Sequence, residues 1–220
     1  SWPKGHGAAA LIMSAAALGG AAVAASAQCS YEVLAVIEGA PCAFGGTVPI
    51  NLFGLNDDLL VVGREGACPD LVGRPVYWSP ETGLVRPEPP VLGDLYNAFY
   101  DVNASGLMVG TFDFDGPLSL GVVYDGTAWT FLSSSPDGGE CTVRYVNDAG
   151  VVAGHRDVEV EPGVTIRAAF RWTAAGGYED LVGDPLAGRR TVTGLAPDGT
   201  VLGYEGFQTG DKVPFLWHPD

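Results

Sequence analysis

Val143-Arg144-Tyr145-Val146-Asn147-Asp148-Ala149-Gly150-Val151-Val152-Ala153-Gly154 reads as a β-hairpin, and the rest of the chain repeats it. Leu55 to Gly63, Val102 to Gly110, Val146 to Gly154 and Leu195 to Gly203 align without a gap. Each copy has an apolar residue, then Asn56, Asn103, Asn147 or Ala196, then a polar turn, an apolar triplet and a closing Gly63, Gly110, Gly154 or Gly203. Asn-Asp-Ala-Gly and Pro-Asp-Gly suit the positive-φ geometry of tight turns, so two strands flank each one.

A second signature follows in each copy: Val76-Tyr77-Trp78, Val122-Val123-Tyr124, Ala169-Phe170-Arg171-Trp172 and Pro214-Phe215-Leu216-Trp217. These residue types favour strands. A short turn and a further apolar stretch come next, Leu84-Val85, Trp129 to Leu132 or Tyr178 to Leu181, making four strands per unit in meander order. The units cover approximately 47–90, 94–135, 140–184 and 190–220. Self-similarity at roughly 45 residues with short-strand periodicity matches propeller blades. The expectation is an all-β, propeller-like array of four-stranded antiparallel blades. A β-sandwich also places strands every 8–12 residues and is the competing architecture. The aromatic series Trp78, Tyr124, Trp172 and Trp217 recurs at one strand position and is assigned to packing between blades, with a sugar-stacking surface as the alternative.

Residues 1–27 have a cationic start, an Ala-rich apolar middle and Ala25-Ser26-Ala27 before Gln28. These are the parts of a secretory signal peptide, leaving a repeat domain over 28–220. A retained membrane anchor or a lipoprotein site at Cys29 are rival readings. Cleavage removes Lys4 and takes the net charge from −15 to about −16. That acidity disfavours nucleic acid and anionic lipid, which are bound through Lys and Arg. The chain is expected outside the cell or in the periplasm, with no membrane attachment after cleavage.

In that setting Cys29, Cys42, Cys68 and Cys141 favour disulfides over zinc, for no C-x-x-C occurs. In a meander the link entering strand one and the link from strand two to three lie at the same end. Cys42 and Cys68 occupy those links in the first unit and form the expected pair. The partners of Cys29 and Cys141 stay open. Tyr31 to Ile37 reads as a strand without a unit, while the fourth unit stops after its third strand. Pairing the two closes a four-bladed ring without bare edges; the alternative is a chain truncated from a larger ring.

The pattern apolar-Asn-Asp-x-Gly-x-Val-Val-Gly followed by Ala-Phe-x-Trp, closest at 146–154 with 168–172, resembles the HAF-repeat family of extracellular repeat proteins of bacteria. The likeness covers most of the mature chain and implies a secreted repeat protein with a propeller-like fold. Ala168, Arg74 and Val213 stand where the family's tripeptide has His, so no role of that His carries over.

Catalysis needs an activated nucleophile, paired carboxylates or a metal cluster. His6, His155 and His218 are the only histidines, and no H-E-x-x-H, G-x-S-x-G or phosphate-binding loop occurs. His155 follows Gly154 where Arg64, Thr111 and Tyr204 stand in other copies, and is read as a solvated strand end. Asp113-Phe114-Asp115-Gly116 makes calcium a candidate ligand with only part of the oxygen set it needs. The links between strands two and three, Arg64–Gly73, Thr111–Gly121, His155–Thr165 and Tyr204–Lys212, are long and share one end. Loops on a rigid scaffold are where ligands bind. That face offers Arg64, Asp113, Asp115, His155, Arg156, Asp157 and Glu205 as exposed polar candidates. The functional expectation is a secreted binding or structural module for an extracellular protein or glycan. A propeller enzyme acting on polysaccharide and a calcium-dependent adhesion module are the alternatives.

Overall fold

The computed structural model describes residues 35–42, 46–66, 73–90, 96–114, 118–133, 139–181, 189–206 and 210–219. The described residues form strands and turns, with no helix among them. The first antiparallel meander is β1 (Ile50–Leu55), β2 (Val61–Glu65), β3 (Arg74–Ser79) and β4 (Gly83–Val85). The second is β5 (Tyr96–Val102), β6 (Met108–Asp113), β7 (Ser119–Tyr124) and β8 (Trp129–Leu132). The third is β9 (Cys141–Val146), β10 (Val152–Glu161), β11 (Val164–Thr173) and β12 (Gly177–Leu181). The fourth has three strands, β13 (Arg189–Leu195), β14 (Val201–Gly206) and β15 (Lys212–Trp217).

Successive sheets are joined at one corner each time. Asn97 donates from Nδ2 to Gly73 O, Ser119 bridges Glu140, and Arg167 of β11 pairs in parallel with Arg189 of β13. No ladder joins the fourth sheet to the first among the described residues.

The first strand of each sheet packs over its predecessor: β5 on β1 to β3, β9 on β5 to β7, and β13 on β9 to β11. The core therefore lies in layers between sheets. Val62 and Tyr77 of the first sheet meet Phe99, Phe112 and Tyr124 of the second. Val109, Val123 and Leu132 meet Val146, Phe170 and Trp172. Ala153, Ala169 and Leu181 meet Val192, Phe215 and Trp217. Tyr124, Trp172 and Trp217 sit in or against these layers, so packing between sheets is the role the structure gives them; Trp78 packs with Ile37, Ile50, Val61 and Val76 and not against another sheet.

The closing glycines have one cause. β1, β5, β9 and β13 each carry a one-residue bulge, at Phe53, Tyr100, Arg144 and Thr193. The bulge drives the carbonyl of Asn51, Ala98, Thr142 or Thr191 onto the facing strand, where a Cβ on Gly63, Gly110, Gly154 or Gly203 would overlap it.

The repeated asparagines form a ladder. Each Oδ1 accepts from its own turn, Leu60 N for Asn56, Leu107 N for Asn103 and Val151 N for Asn147. Each Nδ2 reaches the next turn: Asn56 to Asn103 O at 3.0 Å, Asn103 to Asn147 O at 2.9 Å, and Asn147 to Ala196 O at 3.0 Å.

Four expectations are corrected. His155 to Thr165 is read from the sequence as a loop, but β10 and β11 run on as a paired ribbon to a turn at Pro162-Gly163. Its Asp-Val-Glu-Val-Glu alternation is a strand period. Of Tyr31 to Ile37, only Ala35 to Ile37 are described; they form no strand, and Ile37 packs on Ile50, Val61, Val76 and Trp78 of the first sheet, not beside β15. Cys141 is a free thiol within the apolar layer between the second and third sheets. Burial raises its pKa to about 11, which leaves it protonated and unreactive. His155 is buried, not solvated. Cys29, Cys68 and residues 1–27 lie outside the described residues, so the expected Cys42 to Cys68 bond and the signal segment do too.

Candidate ligand-binding cavity

Strand pairing sets up the site. In the first three sheets the residue after the closing glycine, Arg64, Thr111 or His155, lies on the face that the next sheet's first strand crosses. In the second sheet Thr111 ties that strand down: its Oγ1 accepts from Val143 N at 3.1 Å and donates to Val143 O at 3.3 Å. Beside this junction is a cavity of about 360 Å³. The second sheet contributes Tyr100, Thr111 and Asp113, the third Glu140, Thr142, Arg144 and His155, and the fourth Arg189.

The bulges aim side chains at it. Extra residues stand off the strand at Phe53, Tyr100 and Arg144, and these three stack in order. The Phe53 and Tyr100 ring centroids are 5.5 Å apart, and the Arg144 guanidinium lies 3.7 Å from the Tyr100 centroid. Cation–π stacking of this kind fixes the guanidinium without neutralising it. Tyr100 is largely removed from water, and its phenol is held above its ordinary pKa chiefly by that burial.

His155 is only 7 % exposed. Its Nε2 faces Glu140 Oε1 at 3.5 Å, while Nδ1 is buried without a hydrogen-bond partner among the described residues. Burial first, then the nearby Arg189 and Arg144 charges, lower its pKa to about 4, so the ring is neutral at pH 7. The Glu140 carboxylate is also bound by Arg167 and accepts from the Thr142 hydroxyl. Among the described residues Asp113, Arg144 and Arg189 form no ion pair. Two guanidiniums thus face one uncommitted carboxylate.

Of the residues singled out in the sequence, Asp113 and His155 come together here. Arg64 stacks on the Tyr96 ring at 3.9 Å. Arg156 forms a two-pronged ion pair with Asp180 at 2.7 and 2.8 Å and covers the Tyr178 ring. Glu205 is bound by Arg190. Asp157 lies at the same corner as Glu140: its Oδ2 accepts from Glu140 N, and its own N–H donates to Glu140 O. Arg64, Arg156, Asp157 and Glu205 are therefore half-buried structural partners, not exposed ligand groups. Asp115 lies outside the described residues.

Tyr100, Arg144, Glu140 and Arg189 were missed. A signal existed: the third residue before Asn56, Asn103, Asn147 and Ala196 runs Phe53, Tyr100, Arg144, Thr193, while the residue preceding it, Leu52, Phe99, Val143 or Val192, stays apolar. Among the described residues no cluster of His, Cys, Asp and Glu could hold a metal ion. No family model matches the chain, and no curated protein matches it.

Proposed function

We propose that this chain is a secreted, propeller-like repeat protein of the HAF-repeat kind, acting as a binding module. Its ligand occupies the cavity between the second, third and fourth sheets. The observation that carries this reading is His155, buried in the cavity wall, whose Nδ1 has no partner among the described residues, beside Arg144 and Arg189, which form no ion pair among the described residues. Buried polar atoms without partners are uncommon and mark places where something else supplies the bond. The Glu140 carboxylate favours the proton on Nε2, which leaves Nδ1 as an acceptor. The fitting ligand therefore gives a hydroxyl to Nδ1 and an anionic oxygen to Arg144 and Arg189. A hydroxylated carboxylate, such as the acidic sugar units of extracellular glycans, carries both.

Calorimetric titration with a uronic acid and with its neutral hexose tests this. The acid should bind and the neutral sugar should not. Arg144→Gln and Arg189→Gln should each weaken binding about 10-fold or more, the scale of a lost charge-assisted hydrogen bond. Absence of binding by every hydroxylated carboxylate tried, or equal binding of acid and neutral sugar, overturns the reading.

A further inference from the structure

With the ligand's anionic oxygen given to Arg144 and Arg189 and its hydroxyl to His155, Asp113 is the charged side chain of the cavity without a role. Side chains alternate along a strand, so Asp113 shares a face of β6 with Thr111, whose hydroxyl is bonded to Val143 of the third sheet. Asp113 therefore looks across at the third sheet, half-buried. The repeat puts Asp157 at the same position of the third sheet, where the carboxylate accepts from Glu140 N at 3.0 Å and lies 3.8 Å from Arg167. Asp113 has no such ion pair among the described residues. The scaffold keeps it from the two guanidiniums: Arg144 is held 3.7 Å from the Tyr100 ring centroid, and Arg189 starts a strand that pairs with Arg167. Opposite charges fixed apart in one cavity suit a ligand with an anion at one side and hydrogen-bond donors at the other.

We propose that Asp113 selects among acidic sugars: it accepts a second hydroxyl of the bound uronate and turns away a uronate that carries a sulfate or phosphate ester at that hydroxyl. This selection rests on the uronate assignment of the cavity. A carboxylate only accepts hydrogen bonds, so a free hydroxyl satisfies it and an ester at that position removes the donor. The ester also brings a second negative charge. Arg144 and Arg189 are the only cations lining the cavity, and both are engaged by the ligand's carboxylate. The remaining charged wall is Asp113 and Glu140, the latter already bound by Arg167 and by the Thr142 hydroxyl. Like charges a few ångströms apart in a partly dry site weaken binding by about 10-fold or more. Discrimination by a repelling group next to an attracting pair needs no extra contact with the favoured ligand.

Calorimetric titration at pH 7 with glucuronic acid and with each of its monosulfate esters tests this. Wild type should bind at least one ester about 10-fold or more weakly than the free acid, which marks the hydroxyl facing Asp113. Asp113→Asn keeps the size and removes the charge, and should abolish most of that difference. Asp113→Ser should act in the same direction, so either variant decides the matter if the other folds poorly. Esters that all bind wild type as tightly as the free acid overturn the proposal and leave the uronate assignment standing. So does a difference that survives unchanged in a folded variant, or a variant that weakens acid and esters alike, which would make Asp113 a support of the wall. Binding of neither acid nor ester by wild type overturns both.

Discussion

Leu59 holds φ 61° at the turn position where Gly106, Gly150 and Gly199 hold 81°, 75° and 86°. An L-residue with a Cβ pays steric strain there that glycine does not, about 1–2 kcal/mol. Leu59→Gly should therefore stabilise the chain by about 1 kcal/mol in urea unfolding, the larger unfolded-state entropy of glycine removing part of the gain. A loss of stability would show that the half-buried Leu59 side chain outweighs its backbone strain. His155 gives a pH prediction at the same scale. Its pKa is about 4 when folded against 6.5 for the free side chain, chiefly because burial disfavours the cation, with Arg189 and Arg144 adding to it. A folded pKa below the unfolded one means that the unfolded chain takes up a proton the native state refuses. Stability is then full above pH 6.5 and falls as pH drops toward 4, by about 3 kcal/mol from this group. His155→Gln should lose less stability than wild type between pH 7 and 4.5, and parallel curves would reject the assignment.

Among the elements, the turns and the strands they join were legible because turn chemistry is local: Asn, Asp and Gly within four residues specify it. What binds one turn to the next was not, since Asn56, Asn103 and Asn147 each donate to a carbonyl more than 40 residues away. The sequence-level account made them residues suited to the turn, and the structure makes them ties between sheets. The closing glycines were visible as a recurrence, while their cause, a bulge on the opposite strand, depends on register across the hairpin. One position swaps chemistry without losing its contact: Glu65 with Arg86, Phe112 with Phe131, and Arg156 with Asp180 link the second and fourth strands of three sheets. In the fourth sheet, where no fourth strand is described, Glu205 turns to Arg190 of the first strand. Such exchange hides the pairing from any search for repeated residues. Asn103→Ala should cost about 3 kcal/mol, since it removes the acceptor for Ser105 N and Leu107 N and the donor to Asn147 O in a buried setting. An effect under about 0.5 kcal/mol, the usual size for an inconsequential surface change, would mean that the ladder does not hold the sheets.

At the scale of the molecule, stability follows from stacking. In a repeat array each unit contributes its own term plus an interface term with each neighbour. The second and third sheets have a packed layer on both faces, and they hold Phe99, Phe112, Phe170 and Leu181, the largest fully buried side chains. The first sheet has the second on one side and Ile37 on the other. Among the described residues the fourth has a packed layer on one face only, with Leu202 and Leu216 exposed on the other. It also receives the last bond of the asparagine ladder and extends none. Opening it alone breaks one interface, whereas opening the third breaks two. Amide exchange should therefore rank the strands. Protons of β6 and β10 should exchange only on global unfolding, while those of β14 exchange through a smaller opening at least about 10-fold more readily. Equal protection of β14 and β10 would mean that the sheets open as one cooperative body, and the layer-by-layer account of this fold would fail.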